Sequence, residues 1–166
     1  MKAIVFLIFS LVLSNISIAA DAQLKVYKGD LQKPELVLKD LQGKRHKLKD
    51  YRGKVVLVQF WATYCTPCRV EMPSMNRMQK KLKTKPFKIL AVNMAEEAAE
   101  VNAFVKEVRP EFTILLDTEG ENINRWKVFA APASFVIDKQ GDIRFTLYGG
   151  VEWDSEVIIK KIEQLM

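Results

Sequence analysis

Residues 55–60 (VVLVQF) form an apolar, partly β-branched run bounded by Arg52-Gly53-Lys54, the pattern of a buried strand. Beyond it the period changes. Cys68, Glu71, Met75, Met78 and Leu82 recur at spacings of three, four, three and four, which is one face of a helix turned to a core. Pro73 has no N–H for the carbonyl of Arg69, so a kink is expected there. A second buried strand is predicted at 87–93, then a helix at 95–108. Glu96, Glu97 and Glu100 load that helix's first turns, and Val101, Phe104, Val105 and Val108 make its apolar face. After Pro110 a third strand at 112–116 leads through Asp117-Thr118-Glu119-Gly120 into a short helix at 121–128 carrying Trp126. Pro132 opens another strand, which turns at Asp138-Lys139-Gln140-Gly141 and returns over 142–148 until Gly149-Gly150 breaks it. Asp154 or Ser155 is placed to cap a last helix, whose Ile158, Ile159, Ile162 and Leu165 pack inward. Ahead of the first core strand, 34–48 reads as a β-hairpin turning at Gln42-Gly43-Lys44, with His46 at an expected exposed position. The alternation predicts an α/β fold, a central mixed sheet flanked by helices with an N-terminal hairpin.

Composition alters the picture first at the N-terminus. Met1-Lys2 begins with a positive charge, residues 3–18 are apolar apart from Ser10, Ser14, Asn15 and Ser17, and Ala20-Asp21-Ala22 supplies a small-x-small site. Residues 1–22 are therefore expected to be a signal peptide cleaved after Ala22, with Ala19 and Ala20 as other cleavage points and an uncleaved anchor as the alternative. Residues 23–166 are left as one functional domain, periplasmic or otherwise extracytoplasmic. The chain's net charge of +6 survives that cleavage, because Lys2 and Asp21 leave together. Lysines and arginines crowd residues 39–54 and 80–88. An exported chain with no aromatics interleaved among them is not expected to bind nucleic acid, so these are read as solvated faces or as weak attraction to anionic lipid or an acidic partner.

The two cysteines, Cys65 and Cys68, are the only ones in the chain and stand three apart. A disulfide closing so short a loop does little to restrict the unfolded chain, so the pair is there for chemistry and not for stapling. It falls where a strand gives way to a helix. At that turn the first N–H groups lack internal partners and the helix dipole favours a thiolate. Cys65 is assigned as the attacking thiol and Cys68 as the resolving one. Glu71, one turn beyond Cys68 in the apolar stripe, is assigned to exchange protons with it from a desolvated carboxylate. The competing position for Glu71 is in solvent beyond the Pro73 kink, or paired with Arg69 or Lys54.

With a strand followed by Trp61-Ala62-Thr63-Tyr64-Cys65-Thr66-Pro67-Cys68-Arg69-Val70-Glu71-Met72-Pro73 and a late Pro132 before a hairpin, the chain resembles the thioredoxin-fold TlpA/ResA group of exported thiol–disulfide oxidoreductases, which includes reductants of cytochrome c maturation. That resemblance implies a redox-active Cys65–Cys68 disulfide, Trp61 covering it, and a helical insertion at 94–110. It also implies a cis Pro132 whose preceding Ala131 offers backbone to a client, so Trp61, Ala131 and Pro132 are the implied substrate-binding residues. Two positions depart from the pattern. Gln59 is neutral where thioredoxin has a buried aspartate, and Ala133 stands where cytochrome-maturation members often carry an acid.

The expected activity is reduction of protein disulfides, by a monomer, with no resident cofactor or metal. Its partners would be a disulfide-bearing client protein and a membrane thiol electron-relay protein as donor. A copper-handling module is the binding-class alternative, disfavoured because no histidine follows Cys68. A disulfide oxidant or isomerase on the same fold is the enzymatic alternative. Thr66-Pro67 lacks the histidine of strongly oxidising pairs, which favours the reductant.

Overall fold

The computed structural model describes residues 24–31 and 34–166, and the expected signal segment 1–22 lies outside the described residues. Eight strands form one sheet: β1 (Lys25–Val26), β2 (Val37–Asp40), β3 (Arg45–Lys47), β4 (Val55–Trp61), β5 (Phe87–Met94), β6 (Thr113–Asp117), β7 (Ala133–Ile137) and β8 (Ile143–Tyr148). Their order across the sheet is β1-β8-β7-β4-β5-β6-β2-β3. β4, β5 and β6 run parallel, while β7, β8 and the β2–β3 hairpin run antiparallel to their neighbours. The sheet is therefore mixed, as the alternation of elements predicts.

Helices α1 (Thr66–Lys81), α2 (Ala98–Val108) and α4 (Glu156–Glu163) cover one face. There Met72, Met75, Met78, Val101, Phe104, Ile158 and Ile162 pack with Leu57, Trp61, Ile89 and Ala91. The opposite face is closed by α3 (Glu121–Arg125) and the segments around the hairpin, with Trp126, Leu36 and Leu48 against Val58, Phe60, Leu90 and Phe135. Every residue of β4 is buried, because β4 lies between β5 and β7 in the sheet and has helices or loops on both faces. That explains why its sequence is a continuous apolar run and not an alternating one.

Three local expectations are corrected. α2 starts at Ala98, not Ala95. Ala95 has φ +55°, and the Glu96 carboxylate turns away from the helix to accept hydrogen bonds from Thr63 and Asn93. Ser155 is the N-cap of α4 but makes no capping bond, while Asp154 pairs with Arg77 and Lys81. His46 is buried, at 8% exposure. Its Nε2 lies 2.7 Å from Asp40 Oδ2 and its Nδ1 2.6 Å from the Tyr51 hydroxyl. The hairpin uses its histidine to tie β2 to the turn after β3.

Among the described residues, no helix is long and apolar enough to cross a membrane.

Candidate active site around the Cys65–Cys68 disulfide

Because β4 carries its chain through the middle of the sheet, its C-terminal end delivers residues 62–65 to the N-terminus of α1. Cys65 is the N-cap of that helix, with extended backbone angles, and its Sγ accepts a hydrogen bond from the N–H of Cys68 at 3.3 Å. Pro67, which has no N–H to leave unpaired, occupies the first turn. Cys65 and Cys68 form a disulfide with their Cα atoms 5.3 Å apart. Their accessibility differs, Cys65 being 7% exposed and Cys68 fully buried. Cys65 is thus the less buried of the two sulfurs, and it stands at a helix N-terminus, where negative charge is stabilised.

Pro73 lies inside α1 without interrupting it, and Glu71 stays on the inner face at 2% exposure. Neither alternative position for Glu71 is adopted: Arg69 pairs instead with Glu107 at 2.6 Å and sits 4.5 Å above the Phe104 ring. Glu71 is instead surrounded by neutral donors. Gln59 Nε2 donates to its Oε1. The N–H of Val151 and the indole N–H of Trp153 donate to its Oε2, at 3.2 and 2.9 Å. Burial pushes its pKa up from 4.5 to about 7, against the downward pull of the bonds from Trp153, Val151 and Gln59 in that order. A carboxyl one helical turn from a thiol, titrating near neutrality, is equipped to exchange protons with it. The polypeptide supplying two of those donors is latched by Ser74. Its hydroxyl donates to Glu71 O at 2.7 Å and accepts from Trp153 N–H at 3.0 Å.

The Ala131–Pro132 peptide is cis. Pro132 precedes β7, which pairs with β4, so it stands at the same end of the sheet as the disulfide. The carbonyl of Pro132 accepts from Gly149 N–H at 2.9 Å. Gly150 packs on the first turn of α1 between the cysteines, where an added Cβ would lie 3.3 Å from the Pro67 carbonyl oxygen. The structure thus brings Cys65, Cys68, Ala131 and Pro132 to one end of the sheet, with Glu71 one helical turn beyond Cys68. Trp61 is the exception. It is fully buried and packs on Phe104 with ring centroids 4.8 Å apart, so the expected contact with a substrate is corrected to a packing role in the core.

Sequence reasoning missed two parts of the site. Glu96 accepts from Thr63 N–H at 2.8 Å, from the Thr63 hydroxyl and from Asn93 Nδ2 at 2.6 Å, fixing the loop that presents Cys65. Trp153 lay between a glycine pair and a helix start, with no periodic signal attached. Among the described residues, no group of three or more His, Cys, Asp and Glu is placed to hold a metal ion.

The chain matches the AhpC/TSA family over residues 30–146. It is 40% identical over 116 residues to the thiol-disulfide oxidoreductase ResA of Geobacillus kaustophilus, a match covering 70% of this chain and 67% of that one. With the ResA of Bacillus subtilis, identity is 36% over 110 residues, 66% of this chain and 62% of the relative. Among solved structures, a candidate thiol:disulfide interchange protein DsbE from Chlorobium tepidum superposes with a TM-score of 0.76 at 35% identity, covering 85% of this chain and 99% of that one.

Proposed function

Because the chain belongs to the AhpC/TSA family, and is a thiol–disulfide oxidoreductase of the thioredoxin fold, we propose that it works outside the cytoplasm as a reductant of protein disulfides, apocytochrome c among its clients. The observation that carries the mechanism is the buried carboxyl of Glu71 beneath Cys68 with a pKa of about 7. In the reduced enzyme the Cys65 thiolate attacks one sulfur of the client disulfide. That S–S bond breaks, the other client sulfur leaves as a thiolate, and a mixed disulfide forms. Glu71 takes the proton of Cys68, whose thiolate then attacks Cys65 Sγ. The second client thiolate departs and the Cys65–Cys68 disulfide closes. Two electrons pass to the client, and the client thiolates take up protons from Glu71 and water.

Return to the dithiol needs an equal two-electron supply. Cytosolic reductants do not reach an exported domain, so a membrane thiol relay is the proposed donor. The reductant direction is supported by Thr66-Pro67, which offers no histidine to stabilise a reduced thiolate. Ala131 and Pro132 are the proposed client-facing backbone.

Equilibration of residues 23–166 with glutathione should give a potential nearer the roughly −270 mV of thioredoxin than the roughly −120 mV of the strongest periplasmic oxidant, with catalysis of insulin reduction. A Cys68→Ser variant should accumulate the mixed disulfide on Cys65, and Cys65→Ser should form none. A potential near that of the strong oxidant, or trapping on Cys68, would refute the assignment.

A further inference from the structure

Phe129 is 79% exposed and Tyr148 36% exposed, and their rings stack with centroids 4.3 Å apart and planes 20° from parallel. Two aromatic faces held together in water are not part of the core. Tyr148 leans edge-on against Phe135 from the sheet side, so the pair is anchored from below and open above. Its place is specific. Phe129 stands two residues before Ala131, Tyr148 is the register partner of Ala133, and the Gly149-Gly150 turn after Tyr148 touches both Pro132 and Pro67. Tyr64, next to Cys65 in sequence, is 78% exposed at the same end of the sheet. Among the described residues, neither the N–H nor the C=O of Ala131 has a hydrogen-bond partner.

We propose that the Phe129–Tyr148 stack is a docking platform for an apolar or aromatic side chain of the client, carried on the extended segment that flanks the client's reacting cysteine. An extended segment hydrogen-bonding to Ala131 projects alternate side chains to the same face about 6.6 Å apart. The side chain two positions from the residue opposite Ala131 then lies over the stack. Aromatic faces bind such side chains with a large area at small entropic cost. The platform selects clients by the sequence around their cysteine, which the disulfide chemistry alone cannot do. This inference rests on the proposed reduction of client disulfides.

The test uses residues 23–166 in reduced form, with two synthetic peptide disulfides that differ only in carrying Phe or Ser two positions from the cysteine, and glutathione disulfide as a probe without that side chain. Wild type should reduce the Phe peptide with an about tenfold higher second-order rate constant than the Ser peptide. Phe129→Ala should erase that preference and leave glutathione disulfide reduction unchanged, while Phe129→Trp should keep it. Equal rates for both peptides with wild type would overturn the proposal, as would an equal loss on all three probes in Phe129→Ala. A wild-type dimer in sedimentation that Phe129→Ala dissociates would also overturn it, by assigning the stack to a second copy of the chain. Failure of wild type to reduce any probe would refute the disulfide-reductase reading itself, a different outcome from loss of peptide preference.

Discussion

Replacing Glu71 by Gln should stabilise the oxidised protein at pH 8 and leave it nearly unchanged at pH 4. The folded carboxyl titrates at about 7 against an ordinary 4.5, first because it is buried. At ~1.4 kcal/mol per tenfold in proton affinity, that gap is worth ~3 kcal/mol. Its proton is bound more tightly in the folded than in the unfolded chain. The associated stability is therefore complete below pH 4.5, drains away as the pH rises from there to 7, and is absent above. Above pH 7 the wild type carries a buried charge that the amide does not. The isosteric amide keeps an oxygen for Val151 and Trp153 and turns an NH2 toward Gln59. Gln59 can answer by rotating its own amide, since its Oε1 is buried without a hydrogen-bond partner. Thermal unfolding followed by circular dichroism from pH 4 to 8 should show the Glu71→Gln variant gaining roughly 6–12 °C over wild type across that range. A gap that does not change with pH, or a variant less stable at pH 8, would refute the reasoning. The same substitution should slow client reduction by about 10²-fold at pH 7 and remove the rate's inflection near that pH.

Trp153→Phe deletes the indole donor to Glu71 Oε2, which lowers the carboxyl's pKa. The inflection in the pH–rate profile should then move to higher pH, and an unmoved profile would mean the indole does not tune the carboxyl. Glu96→Ala removes the acceptor for the Thr63 backbone, the Thr63 hydroxyl and the Asn93 amide. It should cost about 2–3 kcal/mol in urea unfolding and slow reaction with client peptides. Full activity would show that the 62–65 loop holds its shape without it.

Periodicity made the fold legible where one physical demand dominated. Residues 55–60 could only be a strand buried on both faces, and the Cys68–Glu71–Met75–Met78–Leu82 stripe placed Glu71 inside despite Pro73. The cysteine pair and its place at a helix start were equally plain. Prediction failed where a polar side chain answered to a distant partner. His46 looked exposed because its hairpin is rich in lysine, yet Asp40 and Tyr51 hold it inside. Glu96 looked like a helix-start acid, but its partners are Thr63 and Asn93. Trp61 entered as a substrate contact through the resemblance alone, whereas α2 covers it through Phe104. Trp153 carried no local pattern, and only the folded chain shows the indole reaching Glu71.

The cysteines and the groups that surround the Glu71 carboxyl are made at very different times. Trp153 follows Glu71 by 82 residues, so a chain emerging N-terminus first presents both thiols long before the indole and the Val151 amide exist beside the carboxylate. Until residues 149–166 dock, Glu71 lacks both donors to its Oε2 and the burial that this segment supplies, and burial is what raises its pKa to about 7. Competence for proton exchange is thus a property of the finished molecule. A nascent or C-terminally shortened chain keeps both cysteines and lacks the surroundings in which the Glu71 carboxyl titrates near 7.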